Sequence, residues 1–270
     1  MDIVLVGPGR AGTSLAIAVE DAGNRVLGVL GRTPARAAEA ASRFGCPVLQ
    51  WDRDLPAADL LLIAVRDDAI GEVAARLGGH APGTGGAVHL SGLTPVDALA
   101  AIGDLPLGSF HPLQTLPNPE NGAARLAGAW IAVTSEDDLL ADRLFALAAS
   151  IGAHPFEVAD EAKPLYHAAA AAAANFPLAA WSMARRLFEA AGVPFEVAGP
   201  LVQAVLDNAF TLGPEAALTG PVARGDVGTV AAQLAAVRGA VPDLEEDFAA
   251  MVVAVARVAG TLDEIGPALA

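Results

Sequence analysis

The chain of 270 residues contains one cysteine and one tyrosine, and only 16 Lys and Arg stand against 31 Asp and Glu, for a formal charge of -15. Each shortage removes a class of protein. A lone thiol, Cys46, cannot build a disulfide framework and fits a reducing cytoplasm. A chain this acidic has difficulty forming the cationic face that phosphate backbones require, so nucleic acid is not an expected partner. Hydrophobic residues make up 54% of the chain, yet Gly, Pro or charge breaks every apolar run before the roughly 18–20 residues that span a bilayer, so no membrane partner is expected. The five histidines, His80, His89, His111, His154 and His167, are scattered without ligand spacing, so no metal site is expected. The opening MDIVLVG lacks a basic segment and runs directly into a glycine turn, which predicts a first strand and not a secretory signal.

What is present divides the chain in two. Short β-branched or leucine-rich runs at 2–7, 25–31, 47–50, 59–65, 87–92, 107–112, 129–133 and 154–158 alternate with helical patterns. That alternation predicts βαβ units, hence an α/β fold with a mostly parallel sheet covered by helices on both faces. Strand signals stop after Glu161, and helices are expected over 164–191, 195–212, 227–239 and 243–262, punctuated by Gly and Pro. The expected domains are 1–160, binding a cofactor, and an all-helical 161–270 for substrate and dimerisation, packed with a cleft between them.

The turn GPGRAG, which is Gly7, Pro8, Gly9, Arg10, Ala11 and Gly12, follows the first predicted strand and opens a helix. In a dinucleotide fold the first glycine makes the tight turn, the second admits the pyrophosphate and the third lets helix and strand pack closely. About twenty residues on, such a site for NAD needs an acid to read the ribose hydroxyls. The sequence there is Gly-Arg-Thr, with Arg32, Thr33 and, one turn later, Arg36. A guanidinium favours a 2′-phosphate through charge-assisted bonds, so NADP(H) is the expected cofactor. The alternative is that both arginines are solvated charges at a helix start.

DLLLIAVRDD ends at the expected switch point of the sheet, which puts Val65 and Arg66 on the crevice with Asp67 or Asp68 capping the next helix. Ser91 ends the following strand facing the same crevice, and His89 falls mid-strand as a core histidine. SFHPLQTLPNP sets His111 and Gln114 in a proline-stiffened loop, and His111 is counted with the cofactor residues. Helical spacing puts Lys163, His167 and Asn175 on one face among alanines, where Lys163 or His167 could donate the proton that accompanies hydride transfer. Set against this, Lys163 could be a terminus charge, His167 a core histidine and Asn175 a helix–helix contact. Arg224, in LTGPVARGD, suits a substrate carboxylate or is simply a surface arginine, and Asp226 suits an N-cap.

Taken in order, GPGRAG, GRT, SFHPLQT, YHAAAAAAAN and LTGPVARGD resemble the bacterial family that joins a Rossmann-like domain to the domain of unknown function 2520. That family is similar in build to pyrroline-5-carboxylate reductase, 6-phosphogluconate dehydrogenase and ketopantoate reductase, whose cofactor domain precedes an all-helical domain that often dimerises. The resemblance implies a homodimer through the helical domain. Because some members are regarded as an alternative ketopantoate reductase of pantothenate synthesis, it also implies 2-dehydropantoate as substrate. Ketopantoate reductases of the better-known type carry a Lys and an Asn on the first helix of that domain; here Lys163 or His167 takes the place of the Lys and Asn175 that of the Asn, while only Asp226 could stand for their diol-binding acid. The expected function is therefore an NADPH-dependent cytoplasmic reductase of a small 2-oxo acid, with His167, Lys163, Asn175, Ser91 and Arg224 as the catalytic set. Reduction of a C=N bond, or a non-catalytic dinucleotide sensor, are the alternatives.

Overall fold

The computed structural model describes residues 1–269. It contains two compact units, Met1–Ala171 and a second from Ala172 onward. The first holds a seven-stranded sheet in the order β2-β1-β3-β4-β5-β6-β7, built from β1 (Asp2–Val6), β2 (Arg25–Leu30), β3 (Leu60–Ile63), β4 (Ala87–His89), β5 (Leu107–Leu113), β6 (Trp130–Ser135) and β7 (His154–Glu157). Strands β1 to β5 are parallel, β5 and β6 are antiparallel, and β6 and β7 are parallel again.

The residues explain this arrangement. All four side chains of β3, Leu-Leu-Leu-Ile, are buried, as a strand covered on both faces requires. Helices α1 (Arg10–Asp21), α2 (Pro34–Phe44), α4 (Pro119–Leu126) and α5 (Asp138–Ser150) place Leu15, Phe44, Leu126 and Leu144 over one face. Helix α3 (Ile70–Leu77) and the 3-10 turn Val96–Ile102 place Ile70, Leu77 and Leu99 over the other. After β2 the chain passes to the far side of β1 to form β3, so the loops that follow β1 and β3 diverge and leave the crevice in which ligands of open α/β sheets bind.

The strand expected at 47–50 does not form. Pro47 has no N–H to give a ladder, and the segment contributes a single bridge, Val48 to Val29. The unit boundary also differs from the expected residue 160, because it falls inside helix α6 (Lys163–Ala190). The first turn of that helix is tied to the loop after β4 through Lys163, which bonds Thr94, and to the sheet through Tyr166, which bonds His111 of β5.

The second unit contains the rest of α6, then α7 (Gly199–Leu212), the short α8 (Pro214–Ala217), α9 (Val227–Ala240) and α10 (Glu245–Ala259). Its core joins Val230 and Leu234 of α9 to Val252 and Ala256 of α10, with a second cluster of Val237, Val241 and Leu244 against Met183 and Leu187 of α6. Asp226 caps α9 by accepting from the Thr229 N–H at 3.0 Å and from its hydroxyl at 2.7 Å. Helix α7 buries none of its side chains, and Phe210 is 92% exposed. Among the described residues no helix is long and apolar enough to cross a membrane.

Candidate functional site

The loops after β1 and β3 enclose a cavity of about 280 Å³. Its floor is the glycine turn. Gly7 has φ +90° and a side chain there would meet the Ala64 carbonyl oxygen at 2.6 Å, while a Cβ on Gly12 would sit 2.5 Å from that of Ala64. The fold itself therefore demands both glycines. Gly9 is different: its φ is -86° and an added Cβ would meet nothing within 4 Å. No neighbour requires it, and what its bareness provides is access to the cavity it lines. Helix α1 starts at Arg10 with Gly9 as an N-cap that makes no side-chain cap bond, so its first N–H groups are free for an anion.

Arg32, Thr33 and Arg36 line the opposite wall. Pro34 starts α2 with Thr33 as its N-cap, yet the Thr33 hydroxyl makes no capping bond. Both guanidinium groups are exposed, and among the described residues neither forms a salt bridge. Val65 and Arg66 complete the wall from the end of β3, with Arg66 paired to Asp68. Trp51 and Arg76, which sequence reasoning missed, close the far side with the guanidinium 4.5 Å over the indole. Nothing local marks them: Trp51 follows the failed strand, and Arg76 lies on α3. Pro8 lines the cavity, whereas Arg10, Ala11, Gly12 and His111 do not. A nucleotide phosphorylated on its adenosine ribose fits this donor set: bare helix N–H groups at one end and two unpaired cations with a free hydroxyl at the other.

A second cluster lies at the carboxyl ends of β4 and β5. His89 is fully buried and burial pushes its pKa down to about 4. In its neutral form Nε2–H donates to the Pro95 carbonyl at 3.3 Å and Nδ1 accepts from the Ser91 N–H at 3.2 Å. The Ser91 hydroxyl donates to Asp67 at 2.8 Å and accepts from the N–H groups of Leu93 and Thr94. These bonds hold the loop after β4. Asp67 caps no helix, since the turn it opens has no side-chain cap bond. Asp68 is taken by Arg66.

Lys163 begins α6 but is only 2% exposed. Its ammonium contacts Asp160 at 2.6 Å and donates to the Thr94 carbonyl at 3.0 Å, while Asp160 also accepts from the Val96 N–H. Burial lowers the Lys163 pKa, opposed by Asp160. This lysine ties the loop after β4 to the helix.

His111 stands two residues beyond the last β4–β5 pair, His89 with Ser109. Its Nδ1 lies 2.8 Å from the Tyr166 hydroxyl, and the rings meet edge to face at 5.6 Å. The His167 ring is 6.4 Å away. Burial pushes His111 down to about 4 and Tyr166 up to about 12, so both are neutral at ordinary pH. Tyr166 was not singled out by sequence; its partner is 55 residues away, and the one available signal was that it is the chain's single tyrosine. The structure thus brings Ser91, His111, Lys163, Tyr166 and His167 together. Asn175 and Arg224 belong to the second unit, where both are exposed.

Known structures share this fold. A protein from Bacteroides fragilis provisionally named an NADP oxidoreductase is 23% identical with a TM-score of 0.81, the match covering 95% of this chain and 98% of that one. Pyrroline-5-carboxylate reductase from Streptococcus pyogenes is 18% identical with a TM-score of 0.60, covering 97% and 99% of the two chains. A reductive aminase from Aspergillus terreus, solved with NADPH and ethyl-5-oxohexanoate, is 17% identical with a TM-score of 0.67, covering 97% and 98%. No curated protein matches the chain. Residues 1–112 match a Rossmann-like domain and residues 129–255 the domain of unknown function DUF2520. With the two domains matched one after the other along nearly the whole chain, it belongs to the family that joins a Rossmann-like domain to DUF2520.

Proposed function

We propose that the protein is a cytoplasmic NADPH-dependent reductase of a small oxo compound, with a 2-oxo acid as the favoured class and 2-dehydropantoate as the specific candidate. The observation that carries the cofactor assignment is the pair of unpaired guanidinium groups, Arg32 and Arg36, in the cavity that Gly9 leaves open. When bound, NADPH supplies a hydride from its nicotinamide. The chain's own task is to grip the ribose phosphate through Arg32, Thr33 and Arg36, to face the pyrophosphate with the first N–H groups of α1, and to hold neutral proton donors at the carboxyl edge of the sheet. Arg224 makes no ion pair among the described residues and is the proposed anchor for a substrate carboxylate. Asn175 is the proposed orienter.

A second reading, reduction of a C=N bond, is supported by the likeness in fold to a pyrroline-5-carboxylate reductase and a reductive aminase. The test is NADPH consumption with 2-dehydropantoate, other 2-oxo acids, pyrroline-5-carboxylate and a cyclic imine. Turnover of an oxo acid is expected. NADPH binding by calorimetry with no turnover of any of them would favour a sensor instead.

The proposed partner is a second copy of the chain, received on α7. That helix buries none of its side chains and exposes Leu201, Val205, Leu206 and Phe210, more apolar surface than solitary surface residues explain. Phe210→Glu should turn a dimer into a monomer in sedimentation or light scattering at micromolar concentration. A wild-type protein that is already monomeric would refute the assignment.

A further inference from the structure

We infer that the group reduced here is a carbonyl and not a preformed iminium, and that the phenol of Tyr166, positioned by His111, delivers its proton; the inference rests on the reductase reading above.

Three elements fix the phenol. His111 of β5 bonds its oxygen at 2.8 Å, Phe156 of β7 packs edge-on to its ring at 5.9 Å, and α6 supplies its backbone. The imidazole is itself pressed on Gly92, where a Cβ would lie 2.6 Å from Cε1. Gly92 sits in the loop that Ser91, His89, Asp160 and Lys163 pin down. The pair occupies the carboxyl edge of β4 and β5, the edge that carries the nucleotide cavity on β1 and β3. Of the two donors expected from sequence, Lys163 is buried with its ammonium held by Asp160 and the Thr94 carbonyl.

The chemistry then selects the substrate. Hydride addition to a ketone leaves an alkoxide, a stronger base than phenolate, so even a phenol whose acidity burial has weakened transfers its proton downhill. The Tyr166 O–H bond breaks as the new O–H bond forms. The phenolate takes the Nδ1 proton of His111, and Nε2 takes one from water. The balance is one hydride and one solvent proton added across C=O. Hydride addition to an iminium gives a neutral amine and leaves such a donor nothing to do.

Two measurements test this. In the cofactor-free protein the absorbance of the chain's single tyrosine should titrate near 12, against about 10 for an exposed tyrosine. A midpoint near 10 would put the phenol in water and overturn the proposal. Tyr166→Phe should lower kcat for a 2-oxo acid by about 100-fold or more while NADPH affinity stays within about twofold. His111→Phe, which keeps a ring against Gly92 but removes Nδ1, should lower kcat about tenfold and move the ¹³Cζ resonance of labelled Tyr166; it also stands in if Tyr166→Phe does not fold. Turnover retained in both variants, or a larger loss on imines than on oxo acids, defeats the proposal while leaving the reductase intact. If the wild type turns over no oxo acid or imine, the reductase reading itself has failed.

Discussion

Arg32→Asp should invert coenzyme preference, weakening NADPH by at least about 100-fold while NADH binds as well as before or better. The wild-type guanidinium is exposed on the cavity wall with no salt bridge to compete for it, so a ribose phosphate would gain charge-assisted bonds of about 1.5–3 kcal/mol. The aspartate removes those bonds and sets a carboxylate against the phosphate. Two factors of ten correspond to about 2.8 kcal/mol, within reach of the lost bonds and the new repulsion together. The same carboxylate can accept from the hydroxyls of an unphosphorylated ribose, which is why NADH should not suffer. Arg36→Asp should act in the same direction but less, since it lies one turn further along α2. Calorimetric titration of both coenzymes into both proteins decides the matter. An unchanged ratio of affinities would remove Arg32 from the site.

Stability should fall steeply between pH 6.5 and 4. His89 and His111 each titrate near 4 in the native protein, burial being the main cause, against about 6.5 in the unfolded chain. Between those values the unfolded state holds protons that the native state does not, so the free energy of unfolding rises with pH and drops as the solution is acidified. Above 6.5 both states are unprotonated and the contribution is flat; below 4 it levels again. Each histidine contributes a slope of at most about 1.4 kcal/mol per pH unit, so together they can remove several kcal/mol from a domain whose whole stability is of order 5–15 kcal/mol. Urea midpoints at pH 7, 5.5 and 4.5 measure the slope, and His111→Phe should remove about half of it. Equal midpoints at all three values would mean that the imidazoles are solvated. Asp2 and Asp226, whose carboxyls are held low by Arg25 and by the Thr229 N–H respectively, act in a lower window, where stability is lost as pH falls below about 3.8.

Much of the fold was legible because it is periodic or punctuated. The strands at the sheet centre are short apolar runs ending in turns, and the later helices are fenced by Pro194, Gly213, Pro242 and Gly260. The stretch around Pro47 misled because composition shows the apolar run but not the missing donor. The glycine turn and the arginines after β2 were legible because their meaning lies in local spacing. The second cluster was not. Whether Ser91 faces a substrate or holds a loop depends on Asp67, 24 residues away. Whether Lys163 is a solvated end charge or a buried tie depends on Thr94, 69 residues away. Hydrogen-bond partners at such separations leave no periodic trace, so the bonds that hold Ser91 and Lys163, and the one that joins Tyr166 to His111, emerge only from the folded sheet.

The glycine turn separates two kinds of tolerance within a few residues. At Gly12 any side chain collides with the backbone and with Ala64, so damage there registers as lost protein. At Gly9 the chain has room to spare and an ordinary φ, so alanine variants should accumulate normally and yet crowd whatever approaches from outside. A mutational survey scored by cellular abundance would class position 9 as permissive, and only one scored by ligand occupancy would find it.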